Sequence, residues 1–433
     1  MVDHPGGRRL AVGAPSPYPP PIAMSSPRRP LYVALALALL AGGGALTLSH
    51  CAPRGGARTG GDVDEADLVA GAQLYRTYCG LCHGDEGEGY AADNANALAN
   101  QQFLASVTDE FLRVNIARGH PGTPMASYAR THGGPLSSEE VDQLVAFIRS
   151  WQEVPPADLP APGPGDAERA EPIYAAQCAS CHGDEGEGVT AVSLNHPVFL
   201  ATASDAQIRY AIAKGREGTP MPAFEERLTA QQIDDLTALL RSWEPEEELD
   251  EDAVAEPAAV TASPVIHPDG EAPDFPELRE GRYVPAAEVA RALQDGRRMV
   301  ILDARPTSDY TRFHVPGAVP SPYYDLERVK EHLPRDGTWI LAYCGCPHAA
   351  SGRVMDHLRA EGFENTAVID EGVFHWRDEG YPVSTLDFPH DAALHGKLIR
   401  RLLSGEMGDI KAVNPLLFAS LYAQNRHDVA PVL

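Results

Sequence analysis

The sequence predicts a multidomain chain in which two small all-α domains, related by duplication, precede an α/β domain with a parallel sheet. Three observations lead there. The stretch Cys79-Gly-Leu-Cys82-His83-Gly-Asp-Glu-Gly-Glu-Gly89 returns ninety-nine residues later as Cys178-Ala-Ser-Cys181-His182-Gly-Asp-Glu-Gly-Glu-Gly188. Around each copy the same order of lead helix, loops and closing helix recurs, which marks an internal repeat. From Gly281 onward short apolar runs alternate with helical patterns, as in a parallel sheet.

Composition sets the outer limits. A chain of 433 residues with 39 Gly and 38 Pro has room for two to four compact units joined by long connections. Its formal charge of −26 argues against nucleic acid, whose phosphates require Lys and Arg. An acidic surface favours solubility or a basic redox partner. Seven cysteines, at 51, 79, 82, 178, 181, 344 and 346, leave an odd number once two pairs are assigned to the repeats.

Residues 1–61 read as an export signal or membrane anchor with a spacer. Translation is expected to start at Met24, because Arg28 and Arg29 form a basic flank and Leu31 to Leu48 carries no charge. That segment sits at the border between a signal core and a spanning helix. The positive-inside rule places the rest of the chain on the periplasmic side of a bacterial membrane. Leu48-Ser-His-Cys51 resembles a lipoprotein box, although His50 replaces the expected small residue. Lipidation of Cys51, an uncleaved helix and simple cleavage all remain open.

The repeated C-x-x-C-H reads as covalent attachment of a c-type haem, two thiols joining the porphyrin while the adjacent histidine meets the iron. Zinc or disulfide chemistry is the alternative, made less attractive by the second copy. The first repeat spans 65–153. Leu68, Ala72, Leu74, Tyr75 and Tyr78 predict a helix leading into the motif, and Thr108 to Arg118 a second. Leu136 to Trp151 predicts a third, with Val141, Leu144, Val145 and Ile148 on one face and a capping box at Ser137 and Glu140. A Pro-rich linker, 154–165, leads to the second repeat at 166–244, with helices over Asp205 to Lys214 and Leu228 to Trp243.

In this arrangement residues 65 to 244 resemble class I cytochrome c domains in tandem, which implies two covalently attached haems and one-electron transfer to redox partner proteins. The fifth iron ligands are then His83 and His182. Met125 and Met221, each closing a Gly-Thr-Pro-Met loop, are the expected sixth ligands, since a thioether favours ferrous iron. Core filling is the plainer job of a methionine. His120, His132 and His196 are rival ligands, but none has an equivalent in both repeats. Trp151 and Trp243 are expected to pack beside the porphyrin. Arg118 and Lys214 could neutralise a propionate or simply be exposed, and the acidic residues after each motif read as solvated loop or docking rim.

Residues 245–280, acidic and Pro-rich, read as a disordered tether. In the third domain, 281–383, Pro285 to Asp295 predicts a helix, and Met299 to Asp303, Trp339 to Tyr343 and Ala367 to Asp370 predict strands. Leu302-Asp-Ala-Arg305, His314-Val-Pro-Gly-Ala318, Ala342-Tyr-Cys344, Asp370-Glu-Gly372, Trp376 and Gly380-Tyr-Pro-Val383 together resemble a rhodanese domain. The resemblance implies a sulfur-carrying cysteine at Cys344, with thiosulfate or a persulfide as partner. The loop after it departs from the family pattern, because Pro347 removes an N–H donor and the nearest arginine, Arg353, lies further on. Sulfur transfer, a dithiol with Cys346, an inactive binding fold and a metal site including His348 stay open. Asp303 and Arg305 read as a structural ion pair, with Asp309 and His314 architectural. Residues 384–433 contain a helical pattern from Asp391 to Leu403 and no motif.

Overall fold

The computed structural model describes residues 64–92, 94–245, 264–275, 277–345 and 348–385. The N-terminal segment with Cys51, the dithiol partner Cys346 and the extension with Asp391 to Leu403 therefore lie outside the described residues. Among the described residues no helix is long and apolar enough to cross a membrane.

The first helical module contains α1 (Glu65–Tyr78), α2 (Gly80–His83), α3 (Gln101–Ser106), α4 (Asp109–Arg118) and α5 (Ser138–Arg149). The second repeats them as α6 (Ala167–Gln177), α7 (Ala179–His182), α8 (Pro197–Thr202), α9 (Asp205–Lys214) and α10 (Ala230–Ser242). Local chemistry sets the helix starts. The Ser137 hydroxyl accepts from the Glu140 amide while the Glu140 carboxylate accepts from Ser137, completing the expected capping box; Thr229 and Gln232 repeat it on α10. Lead and closing helices pack together in each module, α1 on α5 and α6 on α10. The linker 154–165 is laid along the modules: the Ala157 amide donates to Ala105 O at 2.8 Å, and the Gly163 amide to Asp234 at 3.2 Å.

The third domain runs β1 (Tyr283–Val284), α11 (Ala286–Gln294), β2 (Met299–Asp303), α12 (Thr307–Arg312), β3 (Val319–Pro320), α13 (Glu327–Lys330), β4 (Trp339–Tyr343), α14 (Ala349–Ala360), β5 (Thr366–Ile369) and α15 (Gly372–Asp378). Its sheet is parallel throughout, in the order β1-β5-β4-β2-β3. Both faces are covered, which explains the continuous apolar strands. Alternation splits each strand between two cores: Met299 and Ile301 enter one, Val300 and Leu302 the other.

The tether assigned by composition to 245–280 is too long. The Ile266 amide donates to Met299 O at 2.8 Å, and Phe275 is buried edge-on to Trp339 at 5.3 Å. A few large apolar side chains suffice to hold 264–280 to the domain despite its prolines and acids.

Candidate functional site

Each C-x-x-C-H bridges two helices. Cys79 caps the C-terminus of α1 and the motif continues as α2; Cys178 does the same between α6 and α7. The histidine ring is oriented through one nitrogen: His83 Nδ1 donates to Asn96 O and His182 Nδ1 to Val192 O, both at 2.8 Å. This is the orienting hydrogen bond typical of a ligating imidazole, and it leaves Nε2 for a metal. Burial pushes both imidazoles toward the neutral form a ligand requires, and pushes the Cys79 and Cys178 thiols up to about 12 and about 11.

The glycine-rich run after each motif shapes the site. Gly84, Gly87 and Gly89 all have positive φ, as do Gly183, Gly186 and Gly188. Gly87 lies against the Trp151 ring and Gly186 against Trp243, so close that a Cβ on either would sit 2.6 Å from a ring carbon. The two tryptophans also receive edge contacts from Tyr75 and Tyr174, whose hydroxyls donate to Gly84 O and Gly183 O. The acids have a local task as well: the Glu88 and Glu187 carboxylates accept from the amides of Glu86 and Glu185.

The methionine loops match atom for atom. The Met125 amide donates to Thr123 Oγ1 and the Met221 amide to Thr219 Oγ1, both at 3.2 Å. Both methionines, Cys79 and Cys178 pack against one apolar core shared by the modules. That core and the two oriented histidines fit a haem, the core offering an apolar bed and each imidazole Nε2 a ligand its iron would take. Two of the rival histidines are hydrogen-bonded to protein partners. His120 donates through Nε2 to Asn115 Oδ1 and stacks on His196, centroids 4.5 Å apart; His196 donates to Pro121 O.

Contacts between the modules are reciprocal, α3 meeting α9 and α4 meeting α8. Asn100 Nδ2 donates to Glu217 O at 2.9 Å, while His196, at Asn100's place in the other repeat, donates to Pro121 O at 3.2 Å. The two methionine loops therefore both face the seam. Arg216, which replaces His120 in the second repeat, lies over the Phe103 ring, and burial lowers its guanidinium to about 10.

In the α/β domain β4 delivers Cys344 to the C-terminal edge of the sheet, where ligands of open α/β folds gather. Cys344 is 2% exposed, with Sγ 3.3 Å from Ser351 Oγ, a neighbour that sequence pattern alone does not single out. His348 donates to Asp370 at 2.6 Å and lies against Tyr283. Arg305 holds Asp303 through two side-chain nitrogens, the closest contact 2.7 Å, and Tyr343 donates to the same carboxylate. His314 Nδ1 donates to Tyr310 O. These residues brace the edge beside the cysteine, in the architectural roles expected of them. Lys214, weighed as a propionate partner, pairs with Glu225 at 2.7 Å.

Comparisons with known proteins match three stretches of the chain. The cytochrome c family model matches residues 68–152, the model for subunit III of cbb3-type cytochrome c oxidase matches 165–240, and the rhodanese-like domain model matches 285–379. The chain is 28% identical over 181 residues to the cbb3-type cytochrome c oxidase subunit FixP of Azorhizobium caulinodans, covering 40% of this chain and 58% of that protein. It is 25% identical over 193 residues to the subunit CcoP of an Azospirillum species, covering 40% and 62%. The chain thus spans about three fifths of the length of these relatives. Among solved structures, a reducing HAO-like protein complex of Kuenenia stuttgartiensis matches 42% of this chain and 98% of its own at 22% identity, with a TM-score of 0.30. A rhodanese-like protein from Anabaena sp. matches 24% of this chain and 92% of its own at 26% identity, with a TM-score of 0.23. The chain is a tandem c-type cytochrome, its two haems covalently bound, followed by a C-terminal rhodanese-like domain.

Proposed function

We propose that this protein is a periplasmic, membrane-tethered electron carrier whose rhodanese-like domain binds and transfers sulfane sulfur at Cys344. The observation that carries the electron-transfer part is the pair of matched attachment sites whose methionine loops both face one reciprocal seam. A haem bound at each site supplies a one-electron couple. The chain's own residues would hold it: Cys79, Cys82, Cys178 and Cys181 would anchor the porphyrins, and His83, His182, Met125 and Met221 would supply ligands to the iron. At the seam the His120 ring stacks on His196 and the Arg216 guanidinium lies over Phe103. The cbb3-type oxidase subunits among the relatives support a terminal oxidase as the electron acceptor.

The test takes the haem-loaded chain. Thiosulfate with cyanide should yield thiocyanate, and Cys344→Ser should abolish it; equal activity in both proteins ends the sulfur-transfer reading. Met125→Ala with Met221→Ala should remove the long-wavelength sulfur-to-iron absorption, and an unchanged spectrum would rule methionine out. A second reading, a rhodanese fold that binds without transferring, draws on the 2% exposure of Cys344. It predicts no thiocyanate from either protein.

A further inference from the structure

The third domain follows the second cytochrome module in sequence but rests on the first. Tyr323, in the loop after β3, donates its hydroxyl to Tyr78 O at 2.6 Å and lies 2.9 Å from the Tyr128 hydroxyl. Tyr78 O belongs to the last turn of α1, where helix carbonyls lack intrahelical partners, and it is the carbonyl immediately before Cys79. Ser308 donates to Ser127 O at 2.9 Å, and the Tyr324 ring meets Tyr78 edge-on at 4.9 Å. Leu81, inside the haem motif itself, packs against the sheet face that also contains Cys344, and α2 touches α14, the helix after the cysteine loop. Tyr128, Tyr323 and Ser308 are each less than 9% exposed, so this contact is dry and satisfied.

Duplication supplies an internal control. At the places of Tyr78, Leu81 and Tyr128 the second module carries Gln177, Ser180 and Phe224. Two of the replacements are polar and the third lacks the hydroxyl. Gln177, Ser180 and Cys181 are exposed, whereas Tyr78, Leu81 and Cys82 are partly covered. The two modules share the C-x-x-C-H and Gly-Thr-Pro-Met motifs, and the second does not keep the residues that the first sets against the third domain.

We propose that the attachment face of the first module is a dedicated docking surface for this chain's own rhodanese-like domain, making that domain the resident partner of the first haem site alone. The equivalent face of the second module stays open to an outside redox protein. The order in space is then sulfur domain, first module, second module. This deepens the electron-transfer reading by naming which module faces Cys344, and it rests on that reading only for what crosses the contact.

The experiment separates the two. A specific protease site is placed between residues 246 and 263 of the full haem-loaded chain, the chain is cut, and the pieces are run by size exclusion. The rhodanese-like piece should co-elute with the cytochrome piece. The triple variant Tyr78→Gln, Leu81→Ser, Tyr128→Phe, which gives the first module the second's residues, should release it. Tyr324→Ala, which leaves the cytochrome modules unaltered, should also release it. Both variants are checked for unchanged haem content and helicity. Dissociation of the cut parent, or retention by both variants, overturns the docking proposal. A docked complex with no electron transfer would count against the functional reading and leave the docking intact.

Discussion

Gly87→Ala is the sharpest probe of why the glycine run follows each haem motif. Gly87 has φ +72°, and an added Cβ would stand 2.6 and 3.0 Å from two Trp151 ring carbons and 3.1 Å from Ala99 Cβ. The left-handed backbone costs a non-glycine residue about 1–2 kcal/mol. Crowding in a packed site costs about 1–3 kcal/mol more, and Trp151 cannot retreat easily because Tyr75 and Phe147 both meet its ring at 4.9 Å. The lower entropy of unfolded alanine returns about 0.4–1 kcal/mol. The net loss is roughly 3 kcal/mol, within about 1–4.6 kcal/mol. Gly122→Ala is the matched reference, with φ +93° and no atom within 4 Å, so it should lose only about 1 kcal/mol. Native-state hydrogen exchange reads both on one chain, with α5 reporting the first module and α10 the second. Opening of α5 should become easier by the stated amounts while α10 holds. If Gly87→Ala proves no costlier than Gly122→Ala, the contact with Trp151 is not what fixes that glycine.

Two further predictions concern the α/β domain. Arg305→Met leaves the fully buried Asp303 carboxylate without its guanidinium and should destabilise the domain by about 3–5 kcal/mol, read by thermal unfolding followed at Trp376 and Trp339; a loss below about 1 kcal/mol would refute the pairing as structural. Asp309 is buried, its Oδ2 has no hydrogen-bond partner among the described residues, and burial pushes its carboxyl up to about 6. A value raised in the fold means stability fully present below about 3.9, the unfolded value, and lost as pH rises through 6. Asp309→Asn, which cannot ionise, should therefore gain on the parent by about 1.5 kcal/mol between pH 5 and pH 8 in urea titrations, and a pH-independent difference would contradict it.

How much could be read in advance depended on whether local pattern or distant contact set the outcome. The helix Asp205–Lys214 and the strands Met299–Asp303 and Trp339–Tyr343 fall where periodicity and apolar runs placed them. Helices α3 and α8, at six residues, are too short to show a period, though the recurring Phe-Leu at 103–104 and 199–200 marked them. The two-residue strands β1 and β3 carry no signal of their own. At the haem sites the residue types named the chemistry, while Asn96 and Val192 act through backbone carbonyls that any side chain would offer. The docking of the third domain left its trace only in comparison, where Tyr78, Leu81 and Tyr128 of the first module stand against Gln177, Ser180 and Phe224 of the second.

Tyr78 and Tyr323, joined by one hydrogen bond, are 245 residues apart in the chain. The first attachment loop is synthesised long before the domain that will cover it, and closing a loop of that length comes late in folding. While the cytochrome modules fold, the face carrying Tyr78, Leu81 and Cys82 therefore lacks the cover that the third domain later gives it.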